Sequence, residues 1–583
     1  MDADIRRSPS PAGPPTSPDW VRDAVFYQIF PDRFASSVRV PKPGTLERWD
    51  APPTQHGFKG GDLLGIAEHL DDLRDLGITA LYLTPVFASA SNHRYHTYDY
   101  ELVDPLLGGD AALRELLDSA HERGMRVILD GVFNHASRGF WPFHHVLENG
   151  ASSPYRDWFH LNPEVGAGRR GLIAYPGERE ADEIRRIHAG LGPSGAGPSS
   201  GDEDASHPPE SASAAYHESS EEVAVAPFRS ASERVLGYGA WWDLPALPKL
   251  NHANPAVREY IYGVAERWLR FGIDGWRLDV PEEIGEAGFW EEFRRRCLGV
   301  NPVAYLVGEI WMPAGAWLAG DRFHGVMNYP LAEAILSFTG AGRLDEGLVA
   351  TTHEYSRHVR AIDAPEFGQR LADVMATYPP ETTSLQLNLL GSHDTPRFLS
   401  LAGGDVTALR LAALIQMTLP GAPCIYYGDE VGLEGREDPD CRRAYPWDVA
   451  RQDRGLRDFF AGLTAVRHAN PILRRGRFEL LATGSSTVAY RMVDDGPAVG
   501  GGPAPSEGLS GAGRSIVVVA NAGDAADQLS LAVSGPAGAM VSQVSLRGSE
   551  WKTAFAPRPL ERGTLVVEIE AREGVVLGVD PAL

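Results

Sequence analysis

The stretch Gly275-Trp276-Arg277-Leu278-Asp279-Val280 constrains this chain more than any other. Ahead of it the spacing predicts a helix, with Asn254 as N-cap, Pro255 at the first helical position, and Val257, Ile261, Val264 and Trp268 on one face. Gly272 is placed to end that helix. Residues 273–280 then read as a buried strand, which should be apolar throughout when both faces are covered. This one ends instead on Arg277 and Asp279, two apart and therefore on one face. Such a pair at the carboxyl end of a buried strand is where α/β barrels keep their chemistry. A structural ion pair explains a single instance equally well, so recurrence has to decide.

The pattern recurs. Apolar runs at 24–30, 78–83, 125–130, 303–308, 324–329, 385–390 and 422–427 read as further strands. Helical patterns separate them: one starts at Asp62 as N-cap and places Leu63, Ile66, Leu70 and Leu73 on one face, and another runs from Asp110 to Gly124. Alternating strand and helix is the signature of a parallel α/β sheet, and eight strands is the number that closes a (β/α)8 TIM barrel.

The expected domain plan has a disordered tail at 1–18, a barrel over 19–469 and an antiparallel β-sandwich over 470–583. The rhythm breaks after the third strand, and 136–250 is too long for a loop, so it should form an inserted domain. Within it, residues 187–228 carry no Lys or Arg and are rich in Gly, Ser, Pro, Ala, Asp and Glu, which predicts a disordered insertion. Beyond 470 come short strands without long helices, interrupted by a Gly/Pro/Ser loop at 496–513.

A net charge of -24 argues against nucleic acid and anionic membrane as partners and favours neutral ligands. Three cysteines, Cys297, Cys424 and Cys441, supply neither a disulfide framework nor metal-ligand spacing. No run has the length of a spanning helix, and the N-terminus has no apolar core of a signal peptide. A soluble, cytoplasmic protein is expected.

Asp130, Asp279, Glu309 and Asp394 each close a predicted strand, and in a barrel these ends converge. Carboxylates around one pocket, with Arg277 beside Asp279, fit glycoside hydrolysis: one attacks the anomeric carbon while another, of raised pKa, protonates the leaving oxygen. Four unrelated caps explain poorly why His135 and His393 stand at the same ends, beside Asn134 and Asp394. Tyr95, Trp276 and Trp311 are near enough in sequence to offer aromatic faces to a sugar.

Taken in order, these stretches resemble the α-amylase family, glycoside hydrolase family 13, over about residues 20 to 470. Asp130-Gly-Val-Phe-Asn-His135 is similar to its first signature region, Gly275 to Asp279 to the second, Gly308-Glu309-Ile-Trp311 to the third, and Leu390-Gly-Ser-His-Asp394 to the fourth. The resemblance implies a retaining mechanism with Asp279 as nucleophile, Glu309 as acid/base and Asp394 holding the hydroxyls of the sugar at the cleaved bond. It also implies that Arg277 keeps Asp279 ionised, and that His93, Tyr95, His135 and His393 bind that same sugar. Asp130 and Trp311, in the same regions, are expected to bind substrate as well, and Asp438 and Arg442 resemble the pair that grips the next sugar. Leu247-Pro-Lys-Leu-Asn251 is similar to the fifth region of the neopullulanase, cyclomaltodextrinase and maltogenic amylase subgroup, whose substrates are small α-glucans: maltodextrins, cyclodextrins and pullulan.

The chain departs from that pattern in three places. The subgroup's N-terminal β-domain, which builds its dimer, is absent before the barrel, so the oligomeric state stays open. His96 follows the stacking tyrosine where Asp is common. The Asn/Asp-rich calcium loop after the first strand is missing, so no cofactor is required; calcium through Asn134 and the inserted domain stays open. Exo-acting α-glucosidase or transglycosylase activity would use the same covalent intermediate, and a catalytically dead sugar-binding relative is opposed by the complete set of three acids.

Overall fold

The computed structural model describes residues 17–166, 171–189, 230–352, 355–494, 514–533, 540–547, 550–553, 558–559 and 564–580. Eight strands form one parallel sheet: β1 (Phe26–Ile29), β2 (Ala80–Leu83), β3 (Arg126–Gly131), β4 (Gly275–Leu278), β5 (Tyr305–Gly308), β6 (Gly325–Val326), β7 (Leu387–Leu389) and β8 (Ala422–Tyr426). Their order is β6-β5-β4-β3-β2-β1-β8-β7, and a parallel bridge from Met327 to Leu387 closes the ring. This is the expected barrel. Its interior is plugged by side chains pointing inward, among them Phe26, Tyr82, Ile128, Tyr305, Val307, Leu387, Leu389 and Cys424.

The strands are shorter than the apolar runs suggested. At β4 the ladder stops at Leu278, because Val280 turns into the left-handed region at φ 34°, ψ 54°, a conformation that costs a β-branched residue backbone energy. Upstream, the Asn254 side chain accepts from the Ala256 N–H, the helix Pro255–Phe271 buries Val257, Ile261, Val264 and Trp268, and Gly272 ends it at φ 117°. Gly275 is required by packing: a Cβ there would lie 2.1 Å from the Tyr305 carbonyl oxygen on β5. The next residue, Trp276, corrects one expectation. It points out of the barrel into the helix layer, with ring centroids 5.6 Å from Phe133 and 6.3 Å from Phe87, so it offers no face to a ligand. Asp62 caps its helix through Gly65 as expected, but that helix splits at His69 into Leu63–Glu68 and Leu70–Asp75.

Between β3 and the helix at 255 the chain makes the expected excursion, with helices Trp141–Asn149, Glu178–His188 and Ala231–Val235. It is tied back by bridges from His135 to Lys249, Phe159 to Leu250, Leu161 to Tyr238 and Ala240 to Pro248. The predicted insertion at 187–228 starts too early, since Ile187 and His188 complete a helix; residues 190–228 lie outside the described residues, as do 1–16 of the tail and the loop at 496–513. Among the described residues no helix is long and apolar enough to cross a membrane.

After the helix Ile472–Arg475 the chain turns to antiparallel strands. Arg477–Thr483, Thr487–Val493, Ser515–Asn521, Gly574–Asp580 and Met540–Arg547 pair in one sheet, and Asp527–Ala532 pairs with Thr564–Ile569 in another. Val517, Val519, Leu529, Leu531, Val567, Ile569 and Leu577 fill the space between them. The strands at 527 and 540 are faint in the sequence, because their alternation is carried by two to four apolar residues among polar ones.

Candidate active site

Parallel pairing puts Asp130 on β3 directly beside Arg277 on β4. Both point into the top of the barrel, and both are inaccessible to solvent to within 1%. A guanidinium so placed must be satisfied by anions, and it is. Its Nη1 donates to both oxygens of Asp130 at 2.9 and 3.0 Å and to Asp279 Oδ1 at 3.0 Å, while its Nη2 lies 2.8 Å from Glu309 Oε2. Met327 Sδ faces its Nε at 3.5 Å. One cation therefore binds three carboxylates from three successive strand ends. Fewer positive than negative charges share this buried space, and burial raises the pKa of Asp279 and of Glu309 while Arg277 pulls both back down. Asp130 is pushed up to about 6 by the same burial. The cluster consequently keeps a proton at pH values where free carboxyls have lost theirs.

The oxygens are not equivalent. Asp130 is crowded on one oxygen: besides Arg277, the hydroxyls of Tyr82 and Tyr95 each donate to Oδ2 at 2.8 Å, while Oδ1 accepts from Arg277 alone. Asp279 Oδ1 is held by Arg277, but its buried Oδ2 has no partner among the described residues. The strained turn at Val280 aims that residue's N–H at Glu309 Oε2, 3.3 Å away. Trp311, two residues past Glu309, lies flat on Tyr329 with ring centroids 3.5 Å apart and planes 9° from parallel.

On the opposite side, Tyr95 and His393 are stacked within 3°, and the Tyr95 hydroxyl meets His393 Nε2. The Gln28 side-chain amide on β1 reaches His393 Nδ1 at 2.9 Å. Burial, then Arg442 and Arg277, hold His393 well below the usual imidazole range, so the ring is neutral. With the amide donating to Nδ1, its proton sits on Nε2 and points at the Tyr95 oxygen, whose own proton goes to Asp130. His93 adjoins Tyr95 with centroids 5.8 Å apart, and burial lowers its pKa as well. His96, pushed down to about 4 by burial, packs edge-on against His93.

Asp394 lies within 3.2 Å of His393 Nε2 and 3.3 Å of Arg442 Nη2. Arg442 also bonds the His393 carbonyl at 2.8 Å and Asp438 at 3.0 Å. The pair expected to grip a second sugar thus stands next to the acid expected to hold the first. Asp394 is half-buried and Asp438 is about half exposed, 31% and 51% by side chain, so both carboxylates are open to a ligand. His135 is fully buried, with its ring parallel to Trp241. Asn134 Oδ1 beside it is a buried oxygen without a donor, the atom type calcium takes. Among the described residues no three His, Cys, Asp or Glu group around a metal-sized space.

Every residue singled out from the sequence, Trp276 excepted, falls in this cluster or borders it. Gln28, Tyr82, Tyr329 and Val280 were missed. Gln28 carried a signal, being a polar residue inside an apolar strand. The tyrosines read as ordinary β-strand or helix residues, and nothing in the sequence marks the turn at Val280.

Residues 28–472 match the family described as Alpha amylase, catalytic domain. The chain is 40% identical over 468 residues to the cyclomaltodextrinase of Geobacillus thermopakistaniensis, covering 80% of this chain and 66% of that protein. It is 40% identical over 463 residues to neopullulanase 2 of Thermoactinomyces vulgaris, covering 79% and 65%. It thus spans just under two thirds of the length of these relatives. A crystal structure from Thermus thermophilus superposes with a TM-score of 0.76 at 40% identity, covering 96% of this chain and 99% of the other. A barrel closed by eight parallel strands, acids gathered at its carboxyl end and this match over most of the length lead to one conclusion: the chain belongs to the α-amylase family.

Proposed function

We propose that this protein is a retaining α-glycoside hydrolase that cuts α-1,4-glucosidic bonds in maltodextrins and cyclodextrins. The observation that carries the mechanism is the asymmetry of Asp279, one oxygen held by Arg277 and the other buried with no partner among the described residues. The free oxygen attacks the anomeric carbon as the bond to the leaving oxygen breaks, and a glycosyl ester forms on Asp279. Glu309, whose proton is retained by burial, delivers it to the leaving oxygen. Glu309 then takes a proton from water as that water opens the ester. Arg277 stabilises Asp279 as an anion before the attack and again when it leaves as the carboxylate. Asp130 holds Arg277, Tyr82 and Tyr95 in place. Asp394, His393, Tyr95 and His93 face the sugar at the cleaved bond, and Asp438 with Arg442 meets the next one.

The printed names of the relatives, cyclomaltodextrinase and neopullulanase 2, support small α-glucans as substrates. The free, buried cysteines accord with a reducing cytoplasm as the setting. A product profile by chromatography with maltotriose, β-cyclodextrin, pullulan and starch tests the assignment. Maltose and glucose are expected from the first two, at higher kcat/KM than from starch. Transfer products in place of free sugars, or a preference for starch, would overturn it.

A further inference from the structure

Three rings run outward from the site. His135 is stacked on Trp241 with centroids 4.8 Å apart and planes at 7°, and Trp241 is stacked on Trp242 at 4.6 Å and 17°. The inner member follows Asp130 by five residues. The outer one ends in solvent, with Trp242 68% exposed. A single exposed indole is ordinary on a protein surface; the backbone under this one is not. Trp242 and Asp243 both adopt left-handed conformations, at φ 51° and φ 55°, which two consecutive non-glycine residues do only when the surroundings impose it.

The surroundings do impose it. Asp243 accepts from the Ser232 backbone N–H at 2.8 Å and pairs with His188 at 2.6 Å. The Trp241 N–H donates to the Leu247 carbonyl, and the Asp243 N–H to that of Ala240. Two residues beyond Leu247, Lys249 bridges to His135 and reaches Glu283 at 2.8 Å, on the loop that leaves Asp279. The ladder is thereby fixed to the same wall of the cleft as the reacting acids. Buried Nε1 of Trp241 has no partner among the described residues. The left-handed backbone at Trp242 holds its indole out toward solvent.

We propose that the outer face of Trp242 is a stacking platform for one glucose unit of an α-glucan, outside the two units that flank the cleaved bond. The apolar face of a pyranose covers the indole, and the platform stands one further stacked ring beyond Trp241, which itself covers His135. The platform therefore favours longer chains over short ones. This rests on the α-glucan assignment above, and the test separates the two.

Binding of maltoheptaose and maltotriose is measured by calorimetry on the full chain carrying Asp279→Asn, with and without Trp242→Ala. Burying an aromatic face is worth about tenfold in affinity or somewhat more. The expected result is a ratio of the two dissociation constants that favours maltoheptaose and shrinks about tenfold on Trp242→Ala, with Trp242→Phe restoring most of it. An unchanged ratio, an equal loss for both sugars, or no binding of maltoheptaose overturns the platform. Turnover of both sugars by the unmodified protein is followed separately: its absence refutes the hydrolase assignment, whatever the binding data show.

Discussion

Replacing Arg277 by Met removes the one cation from beneath three buried carboxylates while keeping most of the volume. At 3 Å and an effective dielectric of 20, each contact amounts to about 5 kcal/mol of attraction before desolvation is counted. Breaking such a buried set by deleting one partner costs about 3–5 kcal/mol. The cost must depend on pH. Without the guanidinium, the folded-state pKa values of Asp130, Asp279 and Glu309, already raised by burial, rise further. A carboxyl whose folded pKa exceeds its unfolded value binds more protons in the folded state, so stability falls as pH climbs from the unfolded value to the folded one. The variant should therefore be close to wild type near pH 4 and carry the full loss by pH 8. Urea midpoints of both proteins at pH 4.5, 6 and 8 measure this. Activity follows the same sign: Asp279 must be anionic, so the acid limb of kcat/KM moves up by about one unit or more. Arg277→Lys, which keeps a charge but not the fork, should show a smaller shift of both. A loss that is equal at pH 4.5 and pH 8 would refute the reasoning, because an ordinary packing defect does not titrate.

Glu309→Gln should lose several orders of magnitude on maltotriose but far less on an α-glucosyl fluoride, whose leaving group needs no proton; comparable losses on both would remove Glu309 from the acid's role. Gln28→Leu takes away the donor that fixes the His393 tautomer, and kcat/KM for maltotriose should fall about tenfold or more with the urea midpoint little changed, whereas full activity would show that Tyr95 and His393 orient without it. Gly275→Ala forces a methyl to within 2.1 Å of the Tyr305 carbonyl, so soluble yield or the urea midpoint should drop by the equivalent of about 3 kcal/mol or more, and a stable variant would mean β4 and β5 pack more loosely than described.

The barrel was legible because its strands are buried on both faces and so read as continuous apolar runs between capped helices. The acids were legible because each breaks such a run at its end. Strand ends were less so. Nothing in the composition of Val280 announces a left-handed turn, and β6 is only two residues long because the chain enters the helix Tyr329–Thr339 almost at once. Trp276 misled because a tryptophan beside Arg277 in sequence is, by strand alternation, on the opposite face of the sheet. Asp130 was placed among sugar ligands by its motif. The structure adds that Tyr82 and Tyr95, 48 and 35 residues away, donate to its Oδ2. Such bonds depend on contacts between distant segments, which no local pattern encodes.

The most direct test of the central claim is to identify the atom that becomes glycosylated. The protein is treated with 5-fluoro-α-glucosyl fluoride, whose electron-poor ring slows release of the covalent intermediate, then digested and sequenced by mass spectrometry. A single hexosyl adduct on Asp279, absent in Asp279→Asn, is the predicted result. An adduct on Asp130, Glu309 or Asp394, or turnover of the reagent with inversion at the anomeric carbon and no adduct, would contradict it.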